Sequence, residues 1–359
     1  MSPTTGAKHP APSSRPRKPA TREANRRADG AATSTSPQNQ GDPTLAVPSS
    51  APRQGDPIPA GPTASKSTLH RKILAWYDAN QRDLPWREPD CPPWHILISE
   101  IMLQQTPVNR VLPVWREWVE RWPTPKHLAA EGPGEAIRAW GRLGYPRRAL
   151  RLHAAAQAIV ERHGGEVPTD HTELLALPGI GSYTAAAVAS FAFGQRHAVL
   201  DTNVRRVFAR TVTGIEYPPT AVTAAETRLA TELLPSHDAR AARWAVAVME
   251  LGALVCTARS PKCGDCPVSD QCAWLRAGSP AHSGPARKGQ AWAGTDRQIR
   301  GALLAALRKS REPLSHPQLV IEVPDSALRE PTQRGRCLSG LIEDGLVEPL
   351  PGQRYQLPE

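Results

Sequence analysis

Two groups of residues in this chain have the types and spacing for chemistry. The first is Cys256-x6-Cys263-x2-Cys266-x5-Cys272, four thiols within one short segment. Four thiolates can converge on zinc or on an iron–sulfur cluster. A zinc ribbon usually carries two CxxC knuckles on a longer loop, so the compact, unequal spacing here suits a cubane cluster better. The second group is a pair of carboxylates. Glu100 interrupts an apolar helical stretch, Ile96 to Leu103. A carboxylate in such a place is either paired with an arginine or kept protonated by desolvation, as a general acid requires. Asp201 opens Asp201-Thr202-Asn203-Val204-Arg205-Arg206-Val207. It reads first as a helix N-cap, and also as a second carboxylate opposite Glu100. Cleavage of an N-glycosidic bond needs this division: an acid at the leaving base and an anion beside the developing oxocarbenium ion.

Two further motifs concern binding. In Leu177-Pro178-Gly179-Ile180-Gly181-Ser182-Tyr183-Thr184 the glycines permit a tight turn that runs into a helix. Outward-facing N–H groups and the helix dipole make such a turn a phosphate seat without any basic side chain. Many helix–helix loops share the pattern, so it acquires weight only beside the other motifs. Gln104 and Gln105 follow the Glu100 helix. They are polar and uncharged, able to wedge into or hydrogen-bond a base stack, or simply to solvate a helix end.

The elements that must position these residues are helices. Apolar residues recur at helical spacing from Leu69 to Tyr77, Ile96 to Leu103, Leu150 to Val160, Thr184 to Phe193 and Trp244 to Leu254, between loops marked by Pro or Gly. The central region therefore reads as all-α, without internal repeats. Residues 1–65 contain no Phe, Trp or Tyr and are rich in Pro, Ser, Thr, Ala and Gly, the composition of a disordered, mildly basic tail. Residues 276–295 read as a linker. In 296–359, helix-like Ile299 to Leu307 and Leu338 to Asp344 precede a β-hairpin running into Tyr355-Gln356-Leu357, which predicts a small winged-helix-like unit.

The 359 residues suffice for two or three domains, and the net charge of +10 favours a polyanionic partner, nucleic acid foremost. No apolar run approaches the ~20 residues that span a bilayer. The basic N-terminal segment lacks the apolar core of a secretory signal, so a cytoplasmic, nucleoid-associated protein with no membrane partner is expected. The six cysteines then argue for metal use rather than disulfides, with Cys91 and Cys337 as ordinary buried thiols.

In this order the motifs resemble those of the helix-hairpin-helix DNA glycosylase superfamily, and within it the adenine DNA glycosylases of the MutY type. The resemblance covers residues 66–275. It rests on L-P-W-R, S-E-x-M-L-Q-Q-T, G-x-L-G-Y, L-P-G-x-G-x-Y-T, L-D-x-N-V-x-R-V and the cysteine set. It implies a six-helix barrel module over about 94–210 and an iron–sulfur module built from 66–93 and 211–275. The four cysteines would hold a [4Fe–4S] cluster. Glu100 would protonate adenine at N7, Asp201 would stabilise the cationic sugar, and Tyr183 and Asn203 would assist. Arg82, Trp86, Arg87 and Glu250 match positions that line the adenine pocket or orient Glu100. Gln104, Gln105 and Tyr145 match residues that probe the mispair, and Gly179, Gly181 and Thr184 belong to the DNA-binding hairpin. The partner would be double-stranded DNA holding adenine opposite 8-oxoguanine or guanine, met by a monomer.

Tyr183 stands where strand-cutting relatives of the endonuclease III kind carry a lysine. Without an amine no Schiff base can form there, so the expected product is an abasic site in an intact strand. Two features depart from the pattern. Pro146 follows Tyr145 where many relatives have a second aromatic, and the residues after the cluster are too few and too helical for the Nudix-like domain that reads 8-oxoguanine in many relatives. A thymine or other mismatch glycosylase on the same scaffold is the nearest alternative, and a non-catalytic iron–sulfur DNA-binding protein the more distant one.

Overall fold

The computed structural model describes residues 65–284 and 292–359. All of the expected tail except Ser65 lies outside the described residues, as do residues 285–291 of the expected linker. Fifteen α-helices run in the order α1 (Lys66–Asn80), α2 (Pro93–Leu103), α3 (Val108–Arg121), α4 (Pro125–Ala129), α5 (Pro133–Trp140), α6 (Arg147–His163), α7 (His171–Leu175), α8 (Ser182–Phe193), α9 (Thr202–Phe208), α10 (Ala224–Leu233), α11 (Asp238–Leu254), α12 (Ala273–Arg276), α13 (Asp296–Lys309), α14 (His316–Glu322) and α15 (Gln333–Glu343). Three short strands, β1 (Leu314–Ser315), β2 (Glu348–Leu350) and β3 (Arg354–Gln356), complete the described elements.

Local chemistry explains the boundaries that matter for the site. Pro93 occupies the first turn of α2, where its missing N–H costs nothing. The helix is buried over most of its length, which is why its residues are almost all apolar. Small side chains from Ala185 to Ala189 let α8 approach its neighbours closely, and Gly194 ends it in the left-handed conformation. Asp201 caps α9, and that helix runs into one wider turn, Ala209–Thr213, which stops at left-handed Gly214.

Burial divides the chain into two main cores. The first gathers α2, α3, α5, α6 and α8 around Trp118, Trp122 and Trp140, each fully buried and packed edge to face. The second joins α1, α9, α10 and α11 through Ile73, Val207, Trp244 and Leu251. A small apolar group, Ala186, Ala187, Val199 and Ala245, fills the seam between α8 and α11. This division differs from the expected module borders. Leu84 and Trp86 belong to the first core although they were assigned to the iron–sulfur module. Val204, Val207 and Phe208 pack with the second although the barrel was expected to extend to about 210.

The C-terminal elements α13–β1–α14–α15–β2–β3 form three helices on a three-stranded antiparallel sheet of order β1-β3-β2, the topology of a winged helix. Leu314 pairs with Tyr355 and Pro349 with Tyr355 on its other side. Strand β1 and helix α14 went unread in the sequence. Ile299, Leu303 and Leu307 are continuous with the first core, so this unit is seated on the barrel. Arg138 of α5 donates to the carbonyl ends of α13, at Ser310 O from 2.8 Å and also at Arg308 O. Gly134 N donates to Pro358 O at 2.8 Å, and the close approach there leaves no room for a Cβ.

Candidate active site at the seam of two cores

The two cores each contribute a wall. Glu100 comes from α2 and Tyr183 from the first turn of α8, while Asp201 caps α9 and Glu250 lies on α11. Glu100 is only 5% exposed, and the Tyr183 hydroxyl donates to its Oε2 at 2.8 Å. Burial pushes the Glu100 carboxyl up to about 7; the Tyr183 hydrogen bond opposes this and the nearby Asp201 charge adds to it. Burial also raises the Tyr183 hydroxyl well above its ordinary value, helped by the charges of Glu100 and Asp201. Tyr183 therefore sits in the field of both carboxylates, and α2, α8 and α9 bring all three into one place.

Asp201 is a helix cap, the first of its two sequence readings. Its Oδ1 accepts from Val204 N at 2.6 Å as a cap, and its Oδ2 accepts from Asn203 Nδ2 at 2.6 Å. Burial raises its carboxyl, against the pull of these hydrogen bonds. Asn203 is itself held, because its Oδ1 accepts from Arg206 Nη2 at 2.8 Å. Arg206 then donates to Gly252 O at 2.6 Å and Cys256 O at 2.7 Å. Gly252 is required here: a Cβ would stand 2.7 Å from that of Asn203.

Glu250, completely buried, has the opposite surroundings. It accepts from Arg82 N (3.0 Å), Arg82 Nε (2.8 Å), Arg82 Nη2 (2.6 Å) and Arg87 Nη2 (2.7 Å). Burial alone would raise its carboxyl, but the two guanidinium groups hold it down at about 2. The Arg87 charge also reaches Glu100, which it lowers slightly against the burial effect. Trp86 lies buried, edge-on to Trp115 at 5.4 Å.

The residues expected to meet DNA divide into exposed and supporting ones. Gln105 (φ +56°) and Tyr145 (φ +48°) both adopt the left-handed conformation that bulky residues avoid, a strain held by what surrounds them. Arg148 provides that hold: Nη1 donates to Ile101 O, Met102 O and Gln104 O at 2.6–3.0 Å, and its guanidinium lies 5.5 Å from the Tyr145 ring. Gly179 needs its φ of +74°, and a Cβ there would meet that of Arg151 at 2.5 Å. Gly181 faces open space and caps α8 without a side-chain bond, leaving the N–H groups of the first turn available. Thr184 is a correction to the expectation of a DNA-facing residue. It is buried, and its hydroxyl accepts from Gln104 Nε2 at 3.2 Å, so it supports the glutamine instead.

Cys256, Cys263, Cys266 and Cys272 all line one pocket beneath α9 and α11. Among the described residues no group of three or more His, Cys, Asp or Glu is placed to hold a metal ion. The four thiols share this pocket, the donor set that an iron–sulfur cluster takes. Burial pushes the Cys266 thiol up to about 11, so thiolates there need the positive charge of iron to offset it. Arg210 reinforces the site: it is 1% exposed and donates to Cys256 Sγ at 3.5 Å and Thr257 O at 2.7 Å. Arg148 and Arg210 were missed in the sequence, and Arg206 was quoted there in the Asp201 motif without a role. Their only mark there is an arginine inside or beside an apolar helical run.

Residues 98–229 match the HhH-GPD superfamily of base excision DNA repair proteins, and residues 256–272 match the iron-sulfur binding domain of endonuclease III. The adenine DNA glycosylase of Mycobacterium tuberculosis H37Rv is 49% identical over 296 residues, covering 82% of this chain and 95% of that protein. That of Mycolicibacterium smegmatis is 51% identical over 286 residues, covering 80% and 94%. The human adenine DNA glycosylase is 40% identical over 218 residues, covering 58% of this chain and 40% of its own length. Among solved structures, a thermostable thymine-DNA glycosylase superposes with a TM-score of 0.54 at 29% identity, covering 59% of this chain and 97% of its own. No helix among the described residues is long and apolar enough to cross a membrane.

Proposed function

The chain belongs to the adenine DNA glycosylases, within the HhH-GPD superfamily of base excision repair proteins, and from that membership we propose that it hydrolyses the N-glycosidic bond of adenine mispaired with 8-oxoguanine or guanine in duplex DNA. The observation that carries the mechanism is the buried Glu100–Tyr183 hydrogen bond beside Asp201. The adenine nucleotide must leave the stack, because N7 and C1′ are out of reach inside a duplex. Near neutral pH a substantial fraction of Glu100 carries a proton, which it gives to N7. The base departs with the bonding electrons, and positive charge develops on the sugar. Asp201, held by Val204 N and Asn203, faces that charge as an anion. The Glu100 carboxylate then takes a proton from the water that adds at C1′, which restores the acid. Tyr183 keeps the Glu100 carboxyl aimed throughout.

Neither α2, α8 nor α9 carries a lysine. Hydrolysis to an abasic site, without strand cutting through a Schiff base, is consistent with this. Gln104, Gln105 and Tyr145 wedge the stack, and the Gly179–Gly181 turn seats a phosphate on α8. The cysteines hold a [4Fe–4S] cluster. When bound, the cluster supplies a rigid four-point anchor for the loop that accepts from Arg206, the arginine behind Asn203.

Duplexes bearing A:8-oxoguanine, A:G, T:G and U:G, each assayed with and without alkali, test the reading. The expected result is cleavage of the adenine strand alone, and only after alkali. Release of thymine or uracil in preference to adenine overturns it.

A further inference from the structure

Tyr145 is not alone on the surface. It is 50% exposed, and a second guanidinium, that of Arg297 on α13, lies 5.8 Å from its ring. The same guanidinium lies 5.5 Å from Trp292, which is 56% exposed. Four groups thus form a continuous layer, Arg148, Tyr145, Arg297 and Trp292, two from the barrel and two from the C-terminal unit. Among the described residues Arg297 has no acidic partner, and its contacts are the two rings.

The backbone around Trp292 is built to stay in place. Its carbonyl accepts from the Thr295 hydroxyl at 2.8 Å, and Thr295 caps α13. Arg329 Nη2 donates to Ala293 O at 3.0 Å, and buried Gln333 donates to Gly294 O at 3.0 Å. At the far end of the layer, Arg148 grips the carbonyl end of α2, the helix of Glu100. A half-exposed indole beside a guanidinium and a strained tyrosine is a stacking platform for nucleobases.

We propose that Trp292 and Arg297 of the C-terminal unit complete the mispair-reading surface, with Trp292 stacking on the base left unpaired when adenine is extruded and Arg297 positioning the Tyr145 ring. The inference rests on the repair reading above. Extrusion of one base leaves its former partner as the base with a vacant hydrogen-bonding edge and a disturbed stack. Tyr145 enters at that gap, and Trp292 is the aromatic group one guanidinium away.

The test uses the full chain and a duplex carrying a non-cleavable adenine analogue opposite 2-aminopurine, with a fully paired duplex of the same length as reference. Trp292→Ala and Arg297→Ala are expected to lose about tenfold in affinity for the first duplex and little for the second, and Trp292→Phe to stay within about twofold of wild type. Quenching of 2-aminopurine on binding is expected to disappear in Trp292→Ala and persist in Trp292→Phe. Unchanged thermal midpoints check the fold. An unaltered preference for the first duplex and unaltered quenching in both alanine variants overturn the inference. If wild type excises adenine and the variants behave like it, this inference alone falls. If wild type excises none while Trp292→Ala still loses its preference, the surface stands and the repair reading falls.

Discussion

Two glutamates are buried among the described residues, and their surroundings make opposite acids of them. Burial leaves Glu100 titrating at about 7, opposed by one neutral hydroxyl and aided by another carboxylate nearby. Glu250 accepts from two arginines and is held at about 2. Burial is common to both; the difference is the sign and number of charges supplied around each. A buried carboxylate gripped by two guanidinium groups is a strut, always ionised and always engaged. One left with a single phenolic donor keeps a proton to give.

The largest effect that would break the comparison is on rate. Glu100→Gln keeps the shape and loses the transferable proton, so single-turnover adenine release is expected to fall about a thousandfold. Equal rates for the two proteins would remove Glu100 from the mechanism. Glu250→Ala should act on stability instead. It leaves two cationic side chains beside a buried void, with an expected loss of about 3–5 kcal/mol in denaturant unfolding. A loss confined to rate, with stability intact, would make Glu250 a reacting group.

Acidity sharpens the contrast, because the two groups link folding to pH with opposite signs. The folded Glu100 carboxyl titrates above its unfolded value, so it costs nothing below about pH 4.5; the cost builds as pH rises from there to about 7 and is constant beyond. Glu100→Gln should therefore unfold at higher temperature than wild type at pH 8, by an increment worth about 3 kcal/mol, and at nearly the same temperature at pH 4. Glu250 titrates below its unfolded value. Its contribution is present above pH 4.5 and is lost as pH falls towards 2. The rate of wild type is expected to decline as pH rises through 7, as the proton on Glu100 is lost. Tyr183→Phe is the subtlest change: it removes a hydrogen bond that lowers Glu100, so the decline should move to higher pH while the optimum rate drops about tenfold. A decline that stays where it was would separate Tyr183 from Glu100.

Much of this site was legible in the sequence because it lies in residue types that are costly where they stand. An acid inside Ile96 to Leu103, an Asp at a helix start and four cysteines in one loop each ask for a reason. What stayed hidden relies on groups that every residue owns. Arg148, Arg206 and Arg210 donate to carbonyls of α2, α11 and the cysteine loop, and a backbone carbonyl leaves no mark in a sequence. The seating of α13 on α5 was hidden for the same reason: Arg138 meets carbonyls, and Gly134 is reserved for Pro358, more than two hundred positions away. Helical periodicity reveals that a face is apolar without telling which core receives it, so the packing of Leu84 with the first core and Val207 with the second was not legible. Thr184 was misplaced by its neighbours, since a hydroxyl in a DNA-binding hairpin motif can also point inward.

The seam between the cores has a consequence for the timing of activity. Glu100 stands on a helix of one core and Asp201 caps a helix of the other, whose members extend to α11 and the cysteine loop, late in the repair core. The first core in turn draws on Ile299, Leu303 and Leu307 of α13, so even the wall that carries Glu100 is completed by residues beyond the cysteine loop. The proposed pairing of Glu100 with Asp201 therefore requires both cores to be in place at once.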